Sequence, residues 1–167
     1  MSAMPRVTTA VSSILVGAYL ASLASAQSTP AALSRTLAAR HRLALLVAAP
    51  QQNETAMQAD LDAMRVALQR RGFADSELLT LDGPLDPDVL TRFLRAAAQR
   101  IATWPQGEVL LYYTGHGFYS GETVADARPG LHLAKPSASN QYRIYWDEVF
   151  AVLAVPPHVR LVLLPDC

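Results

Sequence analysis

Val109-Leu110-Leu111-Tyr112-Tyr113-Thr114-Gly115-His116-Gly117 is the stretch that decides how this chain folds. An unbroken apolar and aromatic run without polar alternation describes a strand buried on both faces, as in a parallel sheet covered by helices. The run stops at two glycines that flank a histidine, so an ionisable side chain sits at the carboxyl end of a strand. In open α/β sheets that end is where functional crevices form. A second apolar run, Val159 to Leu164, closes with Pro165-Asp166-Cys167, and this cysteine is the only one in the chain. Histidine and thiol can meet at neighbouring strand ends without being close in sequence, and a cysteine nucleophile needs such a nearby base to become thiolate.

Outward from this pair, strands alternate with helices. Leu43 to Ala49 is a continuous apolar run stopped by Pro50 and reads as the first strand. Met57, Leu61, Met64 and Leu68 recur at helical spacing, with Gly72 as the stop. Leu78 to Leu81 is a short strand. Asp86 then caps a helix with Pro87 at its first position, whose apolar face is Leu90, Phe93, Leu94, Ala97, Ile101 and Trp104. The polar stretch from Phe118 to Gln141 reads as a mobile loop beside the site. A third helix, about Trp146 to Leu153, leads through Pro156-Pro157 to the last strand. The alternation predicts an α/β fold of three layers, α/β/α, around a mostly parallel central sheet.

The chain's 167 residues and their roughly half hydrophobic composition suit one domain with a real core. Formal net charge is zero, which gives no electrostatic footprint for nucleic acid. Met1 to Arg6 carries one positive charge, Val7 to Leu23 is apolar or small, and Ala24-Ser25-Ala26 has the small-x-small pattern of a signal-peptidase site. Residues 1–26 are therefore read as a signal peptide cleaved before Gln27, with a secreted or periplasmic product and no membrane attachment after cleavage. Residues 27–41 read as a linker, and 42–167 as the functional domain.

Gly115, Gly117 and Gly121 also invite a phosphate-cradle reading, but Glu122 to Gly130 has no helical period, so the helix that cradle requires is missing. The glycines beside His116 are instead expected to let the chain bend sharply and to turn a backbone amide toward a substrate oxygen. His41, His132 and His158 have no partner pattern that would make a metal site, and no dense acidic loop suggests calcium. No cofactor is expected. A buried-hydrophobe reading of Cys167 fits poorly with its place at a strand end after Asp166.

Leu110-Leu111-Tyr112-Tyr113-Thr114-Gly115-His116-Gly117-Phe118 resembles the histidine motif of caspase-like cysteine peptidases, metacaspases included. Val159 to Cys167 is similar to their cysteine-bearing strand, and Asp60, Met64, Leu68, Gly72 and Phe73 match the spacing of their first helix. The resemblance covers about Leu43 to Cys167. It implies a caspase-like sandwich, of which this chain would carry the first four strands, and peptide-bond hydrolysis by a Cys-His dyad of His116 and Cys167. Backbone amides near Gly117 would stabilise the oxyanion, and the partner would be a peptide or protein substrate.

Two departures shape what the resemblance implies. The loop Pro50 to Ala59 has no arginine or lysine, which aspartate-cleaving caspases use on their substrate carboxylate. Metacaspases hold a substrate Arg or Lys with two acids, one opening the first helix and one placed two residues before the nucleophile; Asp60 matches the first. If Asp166 is the second, the nucleophile is the position after Cys167; if Cys167 is the nucleophile, Pro165 stands in the acid's place. The register with Asp166 as acid is preferred, because a buried cationic side chain needs charge compensation. In either register the domain's remaining strands are expected to be absent, leaving a sheet edge able to pair with another chain. The competing expectation is a catalytically inactive caspase-like binding module that uses this edge.

Overall fold

The structure is a computed structural model that describes residues 41–50, 55–83, 85–133 and 142–167. The signal peptide and nearly all of the linker read from the sequence lie outside these residues. His41, the linker's last residue, is the first of strand β1 (His41–Ala48).

After β1 come helix α1 (Ala56–Arg70), a 3₁₀ turn (Asp75–Glu77), β2 (Leu78–Asp82), α2 (Pro87–Ile101), β3 (Gly107–Thr114), β4 (His116–Ser120), β5 (Arg128–His132), β6 (Arg143–Tyr145), α3 (Trp146–Leu153) and β7 (Val159–Asp166). The main sheet has the order β2-β1-β3-β7, and every neighbouring pair is parallel. It is a mixed α/β fold with a parallel four-stranded sheet. Strand order reverses between β1 and β3, which makes their carboxyl ends the topological switch point.

The sheet buries both faces because its strands alternate between two cores. Ala44, Leu46, Ala48, Leu110 and Tyr112 pack with Leu61 and Leu68 of α1. Leu43, Leu45, Val47, Leu111 and Tyr113 pack with Leu90, Leu94, Ala97 and Ile101 of α2 and with Val149 and Leu153 of α3. Within α2, Asp86 accepts a hydrogen bond from Val89 N at 2.7 Å and Pro87 occupies the first turn, as the sequence implied. Helix α1 ends where Gly72 adopts φ +83° and Phe73 N returns to Leu68 O at 3.1 Å.

Strand β7 differs from the expectation of full burial. Only Val159 is buried, and Leu164 to Cys167 are exposed. Among the described residues β7 pairs with β3 alone, so its outer side is a sheet edge.

The stretch after Gly117 also differs from the loop read in the sequence. In its described part β4, β5 and β6 form a second, antiparallel sheet in the order β4-β5-β6. Glycines and a proline concealed these strands. A side chain at Gly130 would meet the Phe118 ring at 2.5 Å and Ile144 O at 2.6 Å, so only glycine allows strands β4 and β6 to crowd against β5. Pro129 faces Tyr119 of β4, yet β6 begins pairing only at Gly130, so the missing N–H removes no bond to β6.

Candidate functional site

The strands of the main sheet finish in one line. Asp82 pairs with Ala48, Ala48 with Thr114, and Thr114 with Asp166. The ladder runs one step further, with Ala49 N donating to Thr114 O at 3.0 Å and Gly115 N to Asp166 O at 3.2 Å. The second bond holds the start of the glycine-histidine turn against the end of β7, and the first ties the end of β3 to the residue after β1.

Gly115 alone separates β3 from β4. Neither Gly115 nor Gly117 has positive φ, so the sharp bend expected of them is not why glycine stands there. Their requirement is steric. A Cβ on Gly115 would collide with the hydroxyl and Cζ of Tyr113, and a Cβ on Gly117 would stand 3.1 Å from Cys167 Sγ. The thiol thus lies against the backbone of the residue that follows His116. Cys167 is free and exposed, unlike a buried structural cysteine.

Adjacent residues at the end of β7 have different neighbours, as strand alternation demands. While Cys167 meets Gly117, Asp166 accepts a hydrogen bond from the Tyr112 hydroxyl at 3.1 Å. Burial, the Asp166 hydrogen bond and the negative charges of Asp166 and Asp60 together push the Tyr112 phenol up to about 12, against a smaller opposing bond with Thr114. Asp60, exposed on α1, and Asp166 therefore act on one phenol from two elements. Asp60 does not open the helix as expected, since α1 begins at Ala56 and has no acidic residue in its first turn.

On the opposite face, Tyr113 is buried, and its hydroxyl lies 2.7 Å from His132 O and 3.1 Å from His116 O. Burial holds this phenol well above its ordinary range, and the Cys167 charge acts in the same direction. It remains a protonated donor at physiological pH.

His116 is half-buried and stands opposite His132 in the β4–β5 ladder. The His132 ring packs on Phe118 with centroids 5.1 Å apart. Burial, then the charges of Arg143 and His116, lower its pKa. His41 and His158 belong elsewhere: the first stacks on Trp104 at 5.2 Å, and a ring nitrogen of the second lies 2.5 Å from Trp104 O.

Of the residues singled out in the sequence, the structure brings Cys167 to Gly117 and Asp166 to the Tyr112 hydroxyl, while Asp60 is exposed on α1. Tyr112, Tyr113 and His132 were not foreseen as part of the site. Strand alternation could have put the two tyrosines on opposite faces, but nothing in the sequence showed that β5 would return His132 to His116. No family model matches this chain, and a search of curated proteins finds no match.

Proposed function

We propose that this chain is a caspase-like cysteine endopeptidase domain, with the caspase-like sandwich as its fold and the site at the ends of β3 and β7. The observation that carries the reading is the thiol of Cys167 lying against Gly117, next to His116 at the switch point of a parallel sheet. In this reading His116 takes the thiol proton, and Cys167 Sγ attacks the scissile carbonyl carbon while the C=O electron pair moves to oxygen. The Gly117 N–H stabilises that oxyanion. As the carbonyl re-forms, the C–N bond breaks and the imidazolium protonates the leaving amine. Water, deprotonated by His116, then cleaves the thioester and returns the thiol.

Asp60 on α1 and Asp166, which the Tyr112 hydroxyl holds at the end of β7, support a preference for Arg or Lys before the cut, since carboxylates compensate a cationic side chain. In this reading Cys167 is the nucleophile and Asp166 remains the second acid, which departs from both family registers: Asp166 directly precedes Cys167, a tighter spacing than metacaspases have. A signal peptide and export complete the proposal.

Hydrolysis of Arg- and Lys-bearing fluorogenic peptides by purified protein is the test. We expect His116→Ala and Cys167→Ser each to abolish it. Activity that survives Cys167→Ser but not His116→Ala removes Cys167 as the nucleophile. Equal rates in wild type and His116→Ala reject the enzyme and favour the binding module with an open β7 edge.

A further inference from the structure

We infer that Tyr113 is a positioning residue whose hydroxyl sets the His116–Gly117 peptide plane, turning the Gly117 N–H away from the buried core to serve as an oxyanion donor. This inference rests on the endopeptidase reading and adds to it the group that orients the oxyanion site.

The argument starts from peptide geometry. A trans peptide is planar, so the carbonyl of His116 and the N–H of Gly117 point in opposite directions from one plane. Whatever fixes the carbonyl fixes the N–H. The Tyr113 hydroxyl sits 3.1 Å from His116 O and 2.7 Å from His132 O, so one proton is shared between the carbonyl oxygens of two residues paired across β4 and β5. It draws the His116 carbonyl inward and leaves the N–H of exposed Gly117 directed the other way.

The clamp is rigid because the phenol cannot move. Tyr113 is 1% exposed and packs with Val47, Leu111, Leu131 and Val149, with the Trp146 ring edge-on at 6.3 Å. Gly115 has no side chain to displace the phenol, which passes directly beneath it. A donor held in place before reaction needs no reorganisation as charge develops on the substrate oxygen, and that is the condition for strong transition-state stabilisation.

Tyr113→Phe removes the hydroxyl and keeps the ring. We expect kcat on an Arg-bearing peptide to fall about tenfold to a hundredfold with KM within about twofold, less than the loss of a whole oxyanion donor. Affinity for the matching peptide aldehyde, whose thiol adduct carries an oxyanion, is expected to fall by the same factor. Alkylation of Cys167 by iodoacetamide develops no oxyanion and should keep its rate. Unchanged turnover and aldehyde affinity overturn the inference, and so does an equal loss of alkylation rate, which means general distortion.

Carbonyl-¹³C histidine labelling separates the layers of the argument. The His116 carbonyl resonance should move in Tyr113→Phe, and a resonance that stays in place overturns the clamp whatever the activity. A resonance that moves in a protein whose wild type neither cleaves peptides nor binds aldehyde rejects the endopeptidase reading and the catalytic role with it. Should Tyr113→Phe fail to fold, 3-fluorotyrosine at position 113 supplies a stronger donor of nearly the same shape. It is expected to raise aldehyde affinity, and no change overturns the proposal.

Discussion

Gly115→Ala and Gly117→Ala place the same methyl group one residue apart on either side of His116, and they should fail in opposite ways. At Gly115 the new Cβ would come within 2.6 Å of Tyr113 Cζ and closer still to its hydroxyl. That ring is fully enclosed and tied to two carbonyls, so it cannot swing aside. Overpacking of this kind costs about 1–3 kcal/mol, and a buried carbonyl stripped of its donor costs about 1–3 kcal/mol more. The sum, about 2–6 kcal/mol, is a large share of the stability of an ordinary domain, roughly 5–15 kcal/mol. In a domain of this size it corresponds to a fall in Tm on the order of 10–20 °C. At Gly117 the methyl meets Cys167 Sγ at 3.1 Å, and that side chain is exposed and able to yield. Stability should change by less than about 0.5 kcal/mol, while Cys167 is displaced and peptide hydrolysis drops. Scanning calorimetry reads the first effect, and hydrolysis and alkylation rates read the second. A double-mutant cycle with Tyr113→Phe should make the Gly115→Ala cost less than additive by about 1 kcal/mol. A Gly115→Ala protein melting within about 2 °C of wild type, or a strictly additive cycle, would refute the packing argument.

Three further outcomes follow from particular contacts. Asp86→Ala removes the cap on Val89 N and should cost about 1 kcal/mol in urea unfolding, with no effect on thiol chemistry. Asp166→Asn removes a hydrogen bond and a charge that both favour the neutral phenol, so Tyr112 should titrate below its present value of about 12; in peptide hydrolysis, KM should rise for Arg and Lys but not for neutral residues before the cut. His132 has a folded-state pKa below the unfolded value, so protonation favours the unfolded chain, and its contribution to stability is present above about pH 6.5 and lost as pH falls through the folded value. His132→Gln should therefore flatten the loss of stability on the acid side of about pH 6.5, measured by denaturant unfolding.

The main sheet was legible because its strands are dictated by local chemistry. Leu43 to Ala49 and Val109 to Tyr113 carry no polar residue, and the cap at Asp86 with Pro87 fixes the start of α2. The terminal pair Asp166 and Cys167 was legible as a place but not as a geometry. Which element each residue would face depends on the alternation of an exposed edge strand, whose burial pattern the apolar run from Val159 to Leu164 disguised. The small sheet was illegible for another reason. Its signals are a glycine that makes room for an aromatic ring and a proline outside the β6 ladder, and both look like turn residues until the partner strand is present. His132 entered the site through that sheet and was missed with it.

The parallel pairing of β3 with β7 also sets an order of events. Tyr112 and Asp166 meet across 54 residues of chain. During synthesis the histidine turn emerges well before the strand that brings the thiol, and the intervening α3 and small sheet can form first from nearer contacts. Closing so long a loop is slow compared with forming local structure. Cys167 and His116 are therefore kept apart until β7 docks, and under the proposed peptidase reading a nascent chain has no assembled site with which to cut its neighbours.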